Sequence, residues 1–412
     1  MKYLSLQGAA LAALMLFWPL AESMAQTGDG QTPPPSTADS SQDKAGVDEP
    51  KSATDEKPRK LTVASWGGAY SESQQRAYFT PFQNETGIVI ELVKHNGAFE
   101  ALTGADETSP PKWDLVDLGP EILETACRNG KLEKVDASAL ASASDGTPAK
   151  EDFLPGMLHE CGVPSVAWSS AIVYDKRAFK KSAPKTATDF FDVKRFPGKR
   201  ALPRNPKYTF ELALMADGVK PEQVYEMLAS EEGIARVRKQ LDQSRNHVVW
   251  WDRAHEPLKL LAKKEAAMAI AFNGRIFSAI VAQNRPFALI WDGQVFELDL
   301  WAIPKGSPNK ASALDLISFA TKPGQLARQA RWFPYGPVRK SALKLIGKHP
   351  EVDVNMSDYI PTSKANFKRA LRMDAGWWKT HEAEMTRQLK VWRIGDGGSA
   401  ETGADVESEK GL

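Results

Sequence analysis

Several short apolar runs in this chain end on residues able to hold a small charged molecule. "LTVAS" runs into Trp66, "WDLV" into Asp117, and "HVV" into Trp250 and Trp251. "AMAIAF" is followed by Asn273 and Arg275, and "FALI" by Trp291 and Asp292. Aromatic faces attract ammonium groups, by about 2 kcal/mol once water is excluded. Carboxylates pair with amines, and a guanidinium grips a carboxylate through two parallel hydrogen bonds. Together the run-ending residues form an aromatic cage with a few polar groups. Each also has a plainer reading, because a single Trp commonly closes the edge of a core. Trp250 and Trp251 are adjacent on one strand and point to opposite faces, so at most one meets a ligand; Trp251 is the candidate.

Catalytic signatures are missing from the sequence. It has no G-x-S-x-G, H-E-x-x-H, phosphate-loop or C-x-x-C motif, and its six histidines are scattered. Asp189 and Asp192 in "TDFFD" read as charges at a helix start. The two cysteines, Cys127 and Cys161, lack the clustered histidines of a structural zinc site. They either pair or lie buried as free thiols; in an exported chain a disulfide stabilises by roughly 3 kcal/mol in the chain-entropy model. No catalytic residue, metal site or cofactor is expected. With 53 basic and 52 acidic residues the net charge is +1, so no broad field attracts nucleic acid or a membrane surface.

The elements that position these residues alternate in type. "LTVASW", "IVIELV", "WDLVDL", "SAIVYD", "RALP", "HVVWW", "AAMAIAF" and "FALIW" have strand character, and helical stretches separate them. That order predicts an α/β fold with an open, largely parallel sheet, helices on both faces and two lobes. Ligands of such sheets bind beyond the carboxyl ends of the strands. Residues 1–25 carry a basic start, an apolar run and a small-x-small site ending at Ala25, as in a cleaved export signal. Residues 26–60 and 394–412 are polar and rich in small residues, and are expected to be a disordered linker and tail. In "SWGGAYSES" the glycine turn lacks the Lys and hydroxyl of a phosphate loop. It reads as room for the chain to turn, with Trp66 and Tyr70 as an aromatic wall.

The stretches "SWGGAY", "FQNETGIVIEL", "WDLVDLGPEILETACRNGKLEKVD", "VPSVAWSSAIVYD", "FPGKRAL", "VVWWD", "MAIAFNGR", "WAIPKGSPNKASALDLISFATKP" and "YGPV" follow one another in this order. In them the chain resembles the periplasmic solute-binding proteins of ABC importers, in the group that includes spermidine- and putrescine-binding proteins. The resemblance implies a two-lobed, type II-like binding protein with its ligand cleft between the lobes. It implies lobe 1 at 61–165, lobe 2 at 166–302, a return to lobe 1 with C-terminal helices over 303–393, and hinge crossings near 164–168 and 299–304. Closure about the hinge traps the ligand, and a permease in the inner membrane receives it. By the same resemblance Trp66 and Tyr70 line the cleft, and Glu121 is a polar contact with Asp117 beside it. Trp168 stands at the first crossover and Asp299 is an acidic contact at the second. One position departs. Where polyamine binders carry an acid, this chain has Asn273-Gly274-Arg275. A fixed cation there repels a diamine unless Asp292 or Asp299 pairs with it, and otherwise suits a carboxylate. The expected function is capture of a polyamine-like solute in the periplasm. The alternative is an amino-acid-like or other carboxylate-bearing solute, ahead of an exported enzyme or a sensor. Its expected partners are the small ligand and the permease, with no nucleic acid and no membrane insertion after signal cleavage.

Overall fold

A computed structural model describes residues 59–97, 102 and 109–394. The export signal, most of the linker and the tail lie outside these residues. Among the described residues nine strands form one sheet: β1 (Lys60–Ser65), β2 (Val89–Lys94), β3 (Leu115–Leu118), β4 (Val163–Asp175), β5 (Arg200–Pro203), β6 (Val248–Trp251), β7 (Met268–Phe272), β8 (Phe287–Ala302) and β9 (Leu371–Arg372). Their order is β2-β1-β3-β8-β4-β7-β5-β6, with β9 beside β8.

Parallel pairing holds at the two ends, β2-β1-β3 and β7-β5-β6, but the centre differs from the parallel sheet expected. There β4 and β8 pair antiparallel along almost their whole length, and β4 pairs antiparallel with β7 as well. "SAIVYD" and "FALIW" are thus halves of much longer strands. Periodicity did not reveal this, because β4 is buried on both faces and has no polar alternation to mark its extent.

Two hydrophobic clusters occupy opposite ends of this spine. The first gathers Leu61, Val63, Leu115 and Val116 with Leu298, Leu300 and Trp301 of β8. The second gathers Phe190, Leu202, Leu214 and Ile270 with Ile172 of β4 and Ile290 of β8. Between them the β4–β8 register breaks: Ser170 faces Val295, yet Ile172 already faces Ile290. The extra residues of β8 form a bulge at Gly293, whose φ is +76°. A side chain there would strike Leu212 at 2.8 Å and Ala187 at 3.0 Å, so the chain needs glycine for two reasons. Residues 296–303 of β8 and the following turn pack with the first cluster, and the helix Ala375–Ile394 packs with the second through Trp378, Leu389 and Trp392.

A third segment meets the spine on β4, three residues before the break. Gly336 exchanges two backbone hydrogen bonds with Ala167 of β4, at 2.9 and 2.7 Å. Cys127 and Cys161 are joined in a disulfide, tying the end of the helix Pro120–Arg128 to the approach to β4.

Candidate functional site

β3 and β8 run antiparallel with Asp117 opposite Trp301. Asp299 lies two residues before Trp301, so Asp117 and Asp299 share a face of the sheet as diagonal neighbours. Glu297 extends the row, opposite Trp168 of β4. Asp117 is wholly buried. Its Oδ2 accepts hydrogen bonds from the Tyr70 hydroxyl at 2.6 Å and from the Gln74 amide at 2.9 Å. Its Oδ1 has no partner among the described residues. Burial pushes this carboxyl up to about 6 against those hydrogen bonds. Asp299 is 6% exposed and accepts one hydrogen bond on its carboxylate, from the Trp168 indole N–H at 3.3 Å. Burial raises it well above the ordinary carboxylate range, and the Asp117 charge raises it further. No lysine or arginine pairs with either acid among the described residues.

Aromatic rings surround the pair. Tyr70 packs on Tyr335 at 5.3 Å and on Phe333 at 6.0 Å, between ring centres. The Phe272 ring meets Trp168 and Tyr208 edge-on at 5.5 Å each, and the Tyr208 hydroxyl donates to Glu297 at 2.7 Å. Trp66 is half-buried and leans on His95 at 4.5 Å, with its indole N–H unpartnered among the described residues. Gly67 and Gly68 both have positive φ and turn the chain from Trp66 into the helix Gly68–Gln74, which brings Tyr70 and Gln74 to Asp117.

Six of the residues singled out by sequence stand at or beside this centre: Trp66, Tyr70, Asp117, Trp168, Asp299 and Arg275. Arg275 is exposed on the helix Asn273–Phe277, makes no ion pair among the described residues, and is near enough for its charge to act on Tyr335. Its helix packs there closely: a Cβ on Gly274 would sit 3.1 Å from Phe333 and 3.2 Å from Tyr335.

Three others are placed differently. The Asn273 amide accepts from the Ser169 backbone N–H at 3.0 Å and donates to the Pro334 carbonyl at 2.6 Å. It ties β4 to the Phe333–Tyr335 segment, each end of the amide making one hydrogen bond to backbone. Trp251 is buried among Val173, Ala201 and Ala269 and backs the Phe272 ring at 6.4 Å. Glu121 is exposed on the first turn of its helix and lines a groove with Phe296, and its charge also reaches Glu297 at the end of the acidic row. The remaining strand-end residues are structural. Trp250 packs on Trp392, Trp291 donates to the Asp358 carbonyl at 3.0 Å, and Asp292 pairs with Arg369 at 3.0 Å. Gln74, Tyr208, Phe272, Glu297 and Tyr335 were missed. Glu297 had a readable signal in "ELD", where it alternates with Asp299, and Tyr335 lies in "YGPV".

Residues 77–356 match the model of a family described as bacterial extracellular solute-binding protein. A gamma-aminobutyric acid-binding protein of Pseudomonas aeruginosa is 36% identical over 333 residues, covering 81% of this chain and 90% of that protein. A spermidine/putrescine-binding periplasmic protein of Salmonella typhimurium is 24% identical over 318 residues, covering 76% and 87%. The crystal structure of an ABC transporter substrate-binding protein from Bradyrhizobium japonicum superimposes with a TM-score of 0.67 at 28% identity, covering 81% of this chain and 99% of that one.

Proposed function

We propose that this chain, which belongs to the bacterial extracellular solute-binding proteins, captures a small solute with an ammonium group at one end and a carboxylate at the other. It is a substrate-binding protein of an ABC transporter, not an enzyme. The polyamine reading therefore gives way to its alternative. One observation carries this: among the described residues, buried Asp117 and Asp299 have no cationic partner and exposed Arg275, near Tyr335, has no anionic one. An ammonium group satisfies the acids, and its methylenes lie against Tyr70, Trp168 and Tyr335. A carboxylate satisfies Arg275. A diamine offers Arg275 only repulsion. The gamma-aminobutyric acid-binding relative supports the same class, a terminal amino acid with separated charges. Capture takes place in the periplasm after removal of residues 1–25, and closure about the β4–β8 break brings Arg275 toward the acids.

Calorimetric titration with 4-aminobutanoate, its longer homologues, putrescine and butanoate tests the reading. 4-Aminobutanoate or a homologue is expected to bind at least tenfold more tightly than putrescine, about 1.4 kcal/mol. Arg275→Ala is expected to remove that margin. Putrescine binding more tightly than every amino acid returns the protein to the polyamine class.

A further inference from the structure

Asp117 and Asp299 are diagonal neighbours on one face of the sheet, the Asp117 charge acts on Asp299, and neither has a cationic partner among the described residues. Tyr70 and Gln74 both spend their hydrogens on one oxygen of Asp117 and leave Oδ1 bare. The Ser165 hydroxyl, on β4, donates to the Asp299 backbone carbonyl at 2.9 Å. From the segment Gln75–Phe79 comes Tyr78, whose buried hydroxyl has no partner among the described residues and which feels the Asp117 charge. His95, beyond β2, interacts with the Asp117 backbone. Along β8, the Glu297 charge works against ionisation of Asp299. Tyr335 faces both acids and also feels Arg275, while Lys207 acts on Glu297 and not on the pair. Among the described residues the charges acting on Asp299 are those of Asp117 and Glu297, while Arg275 reaches Tyr335. Two ionised carboxylates in a dry site repel strongly, and one of them then keeps its proton.

We propose that Asp117 and Asp299 hold one proton between them in the unliganded protein, and that the ligand's ammonium group takes this proton's place. The proposal rests on the amine-bearing ligand inferred above. Burial and mutual repulsion raise both carboxyls in the direction it requires. The exchange balances: a pair carrying one negative charge loses its proton to solvent, becomes doubly charged, and gains one positive charge from the ligand. The net charge of the site is unchanged. The proton and the ammonium compete, so binding weakens as pH falls.

The test uses the full chain and 4-aminobutanoate, titrated at pH 6, 7 and 8 in buffers of different ionisation enthalpy. The expected result is release of about one proton per ligand near neutral pH, with affinity falling by up to ~10-fold per unit decrease in pH. Asp299→Asn leaves one carboxylate and is expected to abolish the release. Binding without proton release, at an affinity that does not change across this range, overturns the exchange and leaves the ligand class intact. If no terminal amino acid binds, the ligand reading fails separately. Infrared spectroscopy at pH 7 then decides the shared proton. A protonated carboxyl band that Asp299→Asn removes supports it, and absence of that band overturns it.

Discussion

Asp152 and Asp117 are both buried aspartates, and their surroundings are opposite. Asp152 accepts from the Arg339 guanidinium at 2.6 Å, from the Ser341 backbone at 2.9 Å and from the Ser341 hydroxyl. Arg339 is itself buried and also donates to the carbonyls of Ala141 and Thr321. Burial works to raise the Asp152 carboxyl, but these partners outweigh it and hold the group below the ordinary range. Asp117 has hydrogen-bond donors but no cationic partner among the described residues, and it is raised. A charge that serves the fold is neutralised inside the protein. On the proposed reading, a charge that serves a ligand is left short by about the charge the ligand brings.

The largest effect expected from breaking this contrast is on the structural side. Arg339→Met leaves Asp152 buried without a counter-charge and should cost about 3–5 kcal/mol of stability in urea unfolding. The folded fraction should bind ligand as before. A loss below about 1 kcal/mol would mean that the pair contributes little beyond its hydrogen bonds. Asp117→Asn should do the reverse. Stability stays equal or rises, because an amide needs no counter-ion, while affinity for 4-aminobutanoate falls about 100-fold, or roughly 2.7 kcal/mol. Unfolding of Asp117→Asn together with retained affinity would make Asp117 a structural acid like Asp152.

The smallest effect is the pH dependence. The Asp117 carboxyl lies near 6 in the folded chain and near 4 when unfolded, so the folded state takes up the proton first. Between about pH 6 and pH 4 its contribution therefore raises stability as pH falls. Asp152 is lowered on folding, so its contribution is present above about pH 4 and is lost as pH falls through its folded value. Unfolding at pH 6 and pH 4.5 should accordingly narrow the gap between the native chain and Asp117→Asn. A gap that widens contradicts the raised carboxyl.

Most strands were legible, because "LTVAS", "RALP" and "AMAIAF" are short apolar runs bounded by polar or turn residues. The spine was not, since nothing in a strand's own pattern states that its partner runs antiparallel for its whole length. The same limit governed the site. Strand-end position singled out Trp66, Asp117 and Arg275, but it gave equal weight to Trp250 and Trp291, which pack on Trp392 and donate to Asp358. A tryptophan at a strand end looks the same in sequence whether its outer face meets solvent or another helix.

Residue type and order along the chain were sufficient to establish an α/β chain with a balanced charge, its strand and helix segments, the resemblance to solute binders, and the anomaly of Arg275 where an acid was expected. Whether Arg275 had a partner was not decidable there, because Asp292 and Asp299 were equally near in sequence. The fold gave Asp292 to Arg369 and set Asp299 diagonal to Asp117, leaving Arg275 without an ion pair among the described residues. Ionic partnership depends on distance and burial across the β3–β8 register. Those are properties of the assembled sheet, so the charge pattern offered to a ligand was settled only when the chain folded.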